Sequence, residues 1–252
     1  MRFVDVETAK ASTGVRVVLV KGIPSPWSQA AKAIFEIKQI EALGVWLTPG
    51  DAAVTGWTGV VNAPVVLYGD EPVRAHWADI LALAERLAPT PALVPAALEQ
   101  RLLAFGLCNE VMGQGGLLWN MRLSLVALSL ASGGKQGYTI PVAQYLGGRY
   151  GYTESAGRAA PARIVETLQL LAKQLQASGG PYYFGNQLTA LDIYAAAALD
   201  TLQPLAAEQC PMHPRSRAAL EARRDASEPA PESLLAHRDM MHREHMPLPI
   251  EC

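Results

Sequence analysis

The sequence predicts an α+β chain: a small βαβ-ββα sheet unit followed by an all-α helical bundle. Three observations predict it. An apolar strand candidate at residues 15–20 runs straight into an amphipathic helix at 29–40. Pro89, Pro91 and Pro95 then break the pattern within seven residues, which reads as a linker. Beyond them no strand alternation occurs. The expected division is therefore 1–88, a Pro-rich linker at 89–95, and a helical domain at 96–252.

Residues 1–14 are polar and read as an arm over the first strand. Val15-Arg16-Val17-Val18-Leu19-Val20 is nearly continuous in apolar β-branched residues, as a strand covered on both faces should be. In the helix that follows, Ala30, Ala33, Ile34 and Ile37 share one face at i, i+3, i+4 and i+7. Gly44 is read as a turn, 45–47 as a short strand, and 48–59 as a loop with a short irregular helix. Ala63-Pro64 opens the next strand at 65–68, and the Ala63–Pro64 bond is a candidate cis bond. Gly69-Asp70 turns the chain into a further strand at 72–75. A helix follows from Trp77 to Leu87. This order fits a thioredoxin-like sheet of four strands.

The helical half is expected to hold five to seven helices: 96–112, 117–132, 142–150, 158–177 and 190–206, then 216–224 and 233–241. Thr189-Ala190-Leu191-Asp192 reads as a capping box, with Leu188 and Ile193 as its hydrophobic staple. The helix behind it is apolar nearly all round and belongs in the core. His237, His242 and His245 are read as part of a solvated helix and tail rather than as a metal site.

The chain has 252 residues, 50% of them hydrophobic and 17% charged, and a net charge of −2. Such a chain can build an ample core, but it has no basic field for nucleic acid or for an anionic membrane. Asn120 and Arg122 interrupt the longest apolar stretch, 115–131, so no membrane span is expected. Cys108, Cys210 and Cys252 suit neither a disulfide framework nor a zinc site. With no apolar leader, the expected location is cytoplasmic.

The stretch with most chemistry is Ser25-Pro26-Trp27-Ser28, where the first strand hands over to the helix. Ser25 suits the N-cap and Pro26 the first helical position. A helix N-terminus favours an anion placed there. Two readings of Ser25 follow: a cap only, or a hydroxyl beside an anion site.

Taken together, the order of elements and three motifs resemble the glutathione S-transferase superfamily over most of the chain. Ser25-Pro26-Trp27-Ser28 is similar to the Ser/Cys-Pro-aromatic-x motif at the start of the first helix. Asn62-Ala63-Pro64-Val65 is similar to the loop that ends in a cis-proline. Gly185-Asn186-Gln187-Leu188-Thr189-Ala190-Leu191-Asp192-Ile193 is similar to the N-cap motif of the buried helix, and it is the most specific of the three. The resemblance implies that residues 1–88 bind glutathione as co-substrate, with Ser25 hydrogen-bonding the sulfur as thiolate and Ser28 in reserve. It implies backbone pairing of Ala63, before Pro64, with the cysteinyl part. Trp27, Met112 and Trp119 would line an apolar pocket for a hydrophobic electrophile, or else form plain interdomain core. Aligned on Ile80-Leu81, His76-Trp77 stands where the family carries an acidic or amide residue followed by Ser at the glutamyl end. The implied activity is detoxifying conjugation or thiol exchange, commonly by a homodimer. The alternatives are a non-catalytic binding protein on the same fold and, more remotely, a thioredoxin-type oxidoreductase, which would need a cysteine in this loop.

Overall fold

A computed structural model describes all 252 residues. Its sheet has four strands in the order β1-β3-β2-β4: β1 (Arg2–Phe3), β2 (Val15–Val20), β3 (Ala42–Leu47) and β4 (Val65–Tyr68). The pairs β1–β3 and β2–β3 are parallel, and β2–β4 is antiparallel. Helices α1 (Val6–Lys10), α2 (Pro26–Ile37), α3 (Ala52–Thr58) and α4 (Trp77–Leu87) cover the sheet. Val15, Val17 and Leu19 face the large core that contains α2 and α4, whereas Val18 faces a smaller cluster with Ala9 and Val54. Burial on both faces is why β2 reads as a continuous apolar run.

Three expectations in this half are corrected. Residues 1–14 are not an arm, because they supply the edge strand β1 and α1, which Asp5 caps through Thr8 N–H. Gly44 is not a turn: it lies inside β3, where a Cβ would come within 2.6 Å of the Phe3 ring, itself stacked on Trp46. Residues 72–75 form no strand but a single antiparallel bridge, Val66 to Arg74. Pro72 has no N–H for a ladder, and the fourth strand comes instead from the N-terminus. The Ala63–Pro64 bond is cis, and α4 spans the residues expected of it.

Seven helices follow: α5 (Leu98–Met112), α6 (Leu117–Ala131), α7 (Ile140–Arg149), α8 (Glu154–Ala177), α9 (Ala190–Leu202), α10 (Pro214–Asp225) and α11 (Glu232–Glu244). Gly113-Gln114-Gly115-Gly116 breaks the path between α5 and α6. A Cβ on Gly113 or Gly116 would run into the Asn109 and Glu110 carbonyls, and Gly115 has φ 77°. The Asn120 side-chain amide donates to the carbonyls of Gly115 and Gly116 and holds the break closed.

Every residue of α9 is buried. Its N-terminus is organised by the Asp192 carboxylate, which is wholly enclosed. One oxygen accepts the Thr189 N–H at 2.8 Å and the Thr189 hydroxyl at 2.7 Å. The other accepts the Tyr183 N–H at 3.0 Å and meets His237 Nε2 at 3.0 Å. The expectation of a solvated histidine tail is therefore overturned. His237 and His242 are buried on α11, and His245 meets the Tyr182 hydroxyl at 2.7 Å. Their ring nitrogens, with Tyr183 and Asp200, fasten α11 onto α9 and the loop before it.

His242 illustrates the chemistry. Its Nδ1 lies 2.9 Å from the Met246 carbonyl, which can only accept, so Nδ1 carries a proton. Nε2 lies 2.9 Å from the Asp200 carboxylate. Burial pushes His242 down, but the hydrogen bond and charge of Asp200 outweigh it, and the net direction is up. Burial also raises Asp200, only partly offset by His242.

Two outcomes follow. Replacing Asp192 by Ala leaves buried donors from three segments unpaired, and urea unfolding should show a loss of about 3–5 kcal/mol; a loss under about 1 kcal/mol would contradict the role given to this carboxylate. The folded state also keeps the His242 proton to higher pH than the unfolded chain does. The stability drawn from the His242–Asp200 pair is thus fully present below about pH 6.5 and lost as pH rises through the raised value. Hydrogen exchange of α11 amides should show protection falling as pH rises above about 6.5, and a His242→Gln variant should flatten that trend. Equal slopes in the two proteins would refute it.

Candidate functional site

The site forms where the N-terminus of α2 meets the loop before β4 and the break between α5 and α6. Ser25 is the N-cap residue of α2, with extended backbone (φ −62°, ψ 116°), and Pro26 occupies the first helical position. The Ser25 side chain makes no capping hydrogen bond, although the residue is only 5% exposed. An N-cap hydroxyl usually accepts from an N–H one turn on, so here it is left free for another partner at the positive end of a helix. Ser25 is thus the N-cap residue by position, without a side-chain cap bond.

Ser28 is placed differently from its expected reserve role. It is fully buried, and its hydroxyl accepts the Val20 N–H at 3.2 Å, tying the end of β2 to α2. Ala63 precedes the cis-proline, and neither its N–H nor its carbonyl pairs with other backbone. A strand-like ligand could use both.

At α4 the N-cap residue is His76, whose Nδ1 accepts the Ala78 N–H at 3.3 Å. His76 is thus the residue that caps α4. Trp77 is the first helical residue. Its ring is buried between the two halves, 6.0 Å from Phe105 and 5.7 Å from Tyr194, and its indole N–H has no partner. As a side chain, then, Trp77 is interdomain core. Its backbone N–H, by contrast, makes no hydrogen bond to other backbone groups. A cavity of about 20 Å³ lies here among Trp27, Ala31, Pro64, Trp77, Met112 and Tyr194, room for little more than one water.

Trp27 reaches the helical half as well. Its indole N–H donates to the Met112 carbonyl at 3.0 Å, which satisfies a carbonyl at the end of α5 and fixes the two halves together. Trp119 meets Tyr150 edge-on at 4.7 Å, and Tyr150 tilts toward Trp27 at 6.5 Å. The structure thus brings Trp27, Met112 and Trp119 to one end of the interdomain contact. It adds Tyr150, Tyr138 and Arg122, which the sequence reading missed. The available signal was Arg122 itself, a cation in an otherwise apolar helix stretch, used there only to exclude a membrane span. No helix is long and apolar enough to cross a membrane.

No family model matches the sequence, and no curated protein matches it. Solved structures do match. A glutathione transferase family member from Pseudomonas fluorescens Pf-5, with two glutathione bound, aligns at a TM-score of 0.62 with 11% identity, over 95% of this chain and 94% of that one. A glutathione S-transferase from Methylobacterium radiotolerans, in complex with glutathione sulfonate, aligns at 0.57 with 17% identity, over 92% and 94%. The Tau class glutathione S-transferase of mango, Mangifera indica, aligns at 0.54 with 18% identity, over 92% and 99%. The chain has the glutathione S-transferase fold: a thioredoxin-like N-terminal domain followed by a helical C-terminal domain.

Proposed function

We propose that this chain binds glutathione and adds or exchanges its thiolate on hydrophobic electrophiles. The observation that carries the reading is the Ser25 hydroxyl, unspent on its own cap at the N-terminus of α2, in a fold whose solved examples include glutathione complexes. A thiolate is the nucleophile in such chemistry, and a free thiol has a pKa of about 8.5. A hydroxyl donor and a helix dipole together stabilise the thiolate and lower that value. With serine at this position, no mixed disulfide with the protein can form, which favours conjugation over disulfide reduction.

The rest of the tripeptide has matching groups. The unpaired N–H and carbonyl of Ala63 suit the cysteinyl backbone. At the glutamyl end the usual acidic and hydroxyl side chains are absent. The first N–H of α4, at Trp77, is a backbone donor at a helix N-terminus, and a carboxylate suits it without any help from the side chain. This predicts weaker anchoring at that end than at the sulfur.

One observation favours a second reading, a non-catalytic binding protein on the same fold. The Trp77 ring is packed between the two halves, and the cavity that it lines beside Pro64 holds about 20 Å³. Calorimetry with glutathione, followed by assays on a panel of aryl halides and other electrophiles, separates the two. The enzyme reading predicts binding at millimolar ligand or better, and turnover that falls at least about tenfold in Ser25→Ala. No binding at millimolar glutathione would end it. Binding without turnover on any electrophile would favour the second reading.

A homodimer belongs to the same proposal. Leu98, Leu102 and Phe105 form an apolar stripe on α5 at i, i+4 and i+7, and Leu98 and Leu102 are 55% and 66% exposed. An isolated monomer rarely leaves such a row in water. Sedimentation should give a two-chain mass, and Leu102→Glu should give one chain with the helical content unchanged. A monomeric parent protein would refute the dimer.

A further inference from the structure

Arg122 lies on α6 inside the aromatic cluster that continues from Trp27. Its Nη1 donates to the Tyr138 hydroxyl. The guanidinium carbon stands 6.0 Å from the centroid of the Trp27 ring, which Tyr150 approaches at 6.5 Å. Its Nε is enclosed and has no hydrogen-bond partner. None of the ion pairs in the chain includes it.

An enclosed Nε without a partner also occurs at Arg16 and Arg223, but those arginines differ from Arg122 in their other acceptors. Arg16 and Arg223 spend their guanidinium groups on backbone carbonyls of the fold, and Arg238 is paired with Asp239 and bonded to the Gln203 carbonyl. The hydrogen-bond partner of Arg122 is the Tyr138 phenol, and it has no carboxylate partner. A half-buried guanidinium held this way lacks the bidentate acceptor that its planar fork matches best. Its neighbours Trp27, Trp119, Tyr138 and Tyr150 are all half-buried, so the cluster reaches solvent. Trp27 follows Ser25 by two residues in the chain, so the ring that Arg122 approaches belongs to the same first turn of α2.

We propose that this cluster is a binding site for a planar aromatic carboxylate, with the ring against Trp27, Trp119 and Tyr150 and the carboxylate on Arg122. Together with the proposed glutathione chemistry, on which this part rests, it makes the second substrate an aryl electrophile that carries a carboxylate rather than a neutral one. The aromatic walls supply stacking for the ring, and the guanidinium supplies the missing charge complement and selects against uncharged analogues. Tyr138 holds the guanidinium in place and so acts as a positioning residue.

Two probes of the same shape test it: a chloronitrobenzoate and the corresponding chloronitrobenzamide. Their binding is read by quenching of tryptophan fluorescence, without glutathione present. The parent protein should bind the carboxylate at least about tenfold more tightly than the amide, and the preference should shrink with added salt. Arg122→Gln should abolish the preference while leaving amide binding within about twofold. Equal binding of the two probes by the parent protein would overturn the proposal whatever the variant does, so a variant that fails to fold cannot protect it. A preference that survives in folded Arg122→Gln would overturn it as well. The probes need no glutathione, so carboxylate preference in a protein that does not bind glutathione would sink the transferase reading and keep this site.

Discussion

Asp192 is the constraint on which the structure depends. A carboxylate with no water around it is tolerable only when donors surround it, and four converge here: the N–H and hydroxyl of Thr189, the N–H of Tyr183, and the ring of His237. Those donors come from the loop before α9, from its cap and from α11. Satisfying one charge therefore fixes three pieces of chain at once. Helix α9 is then the post against which α2, α5 and α11 pack. The position of the α2 N-terminus, and with it Ser25, is inherited from that arrangement.

The second constraint is the contact between the two halves. Trp27 and Trp77 leave from the first turns of α2 and α4 and embed in the helical half, one by a hydrogen bond to Met112 and the other by its ring against Tyr194 and Phe105. The two ends of the proposed glutathione site consequently differ. At the sulfur end a side-chain donor stands free. At the glutamyl end His76 caps α4, the Trp77 ring is packed between the halves, and the Trp77 backbone N–H is a donor without a backbone partner. Such a site holds its ligand mainly through the thiolate and the cysteinyl backbone.

Much of the fold was legible in the sequence because its signals are local. Continuous apolar residues at 15–20, the Ser-Pro entry to α2, the cis Ala63–Pro64 bond and the Thr189–Asp192 box each depend on a few neighbouring residues. What failed depended on partners far away in the chain. Arg2 and Phe3 become a strand only because β3 lies open beside them, and Gly44 is explained only by the ring of Phe3. The histidines of α11 look like a polar tail until Asp192 and Asp200, more than forty residues earlier, are placed against them. In the candidate site Ser25, Trp27, Met112 and Trp119 were legible by motif and residue type. Arg122 was not, since the groups around it, Tyr138 and the Trp27 ring, are brought to it by the fold.

The central claim is that Ser25 stabilises a thiolate. The most direct measurement is the ultraviolet absorbance of the bound glutathione thiolate as a function of pH. The account predicts an apparent thiol pKa well below the free value of about 8.5 in the parent protein, returning toward it in Ser25→Ala. An unshifted pKa in the parent protein, or the same depressed pKa in both, would contradict it.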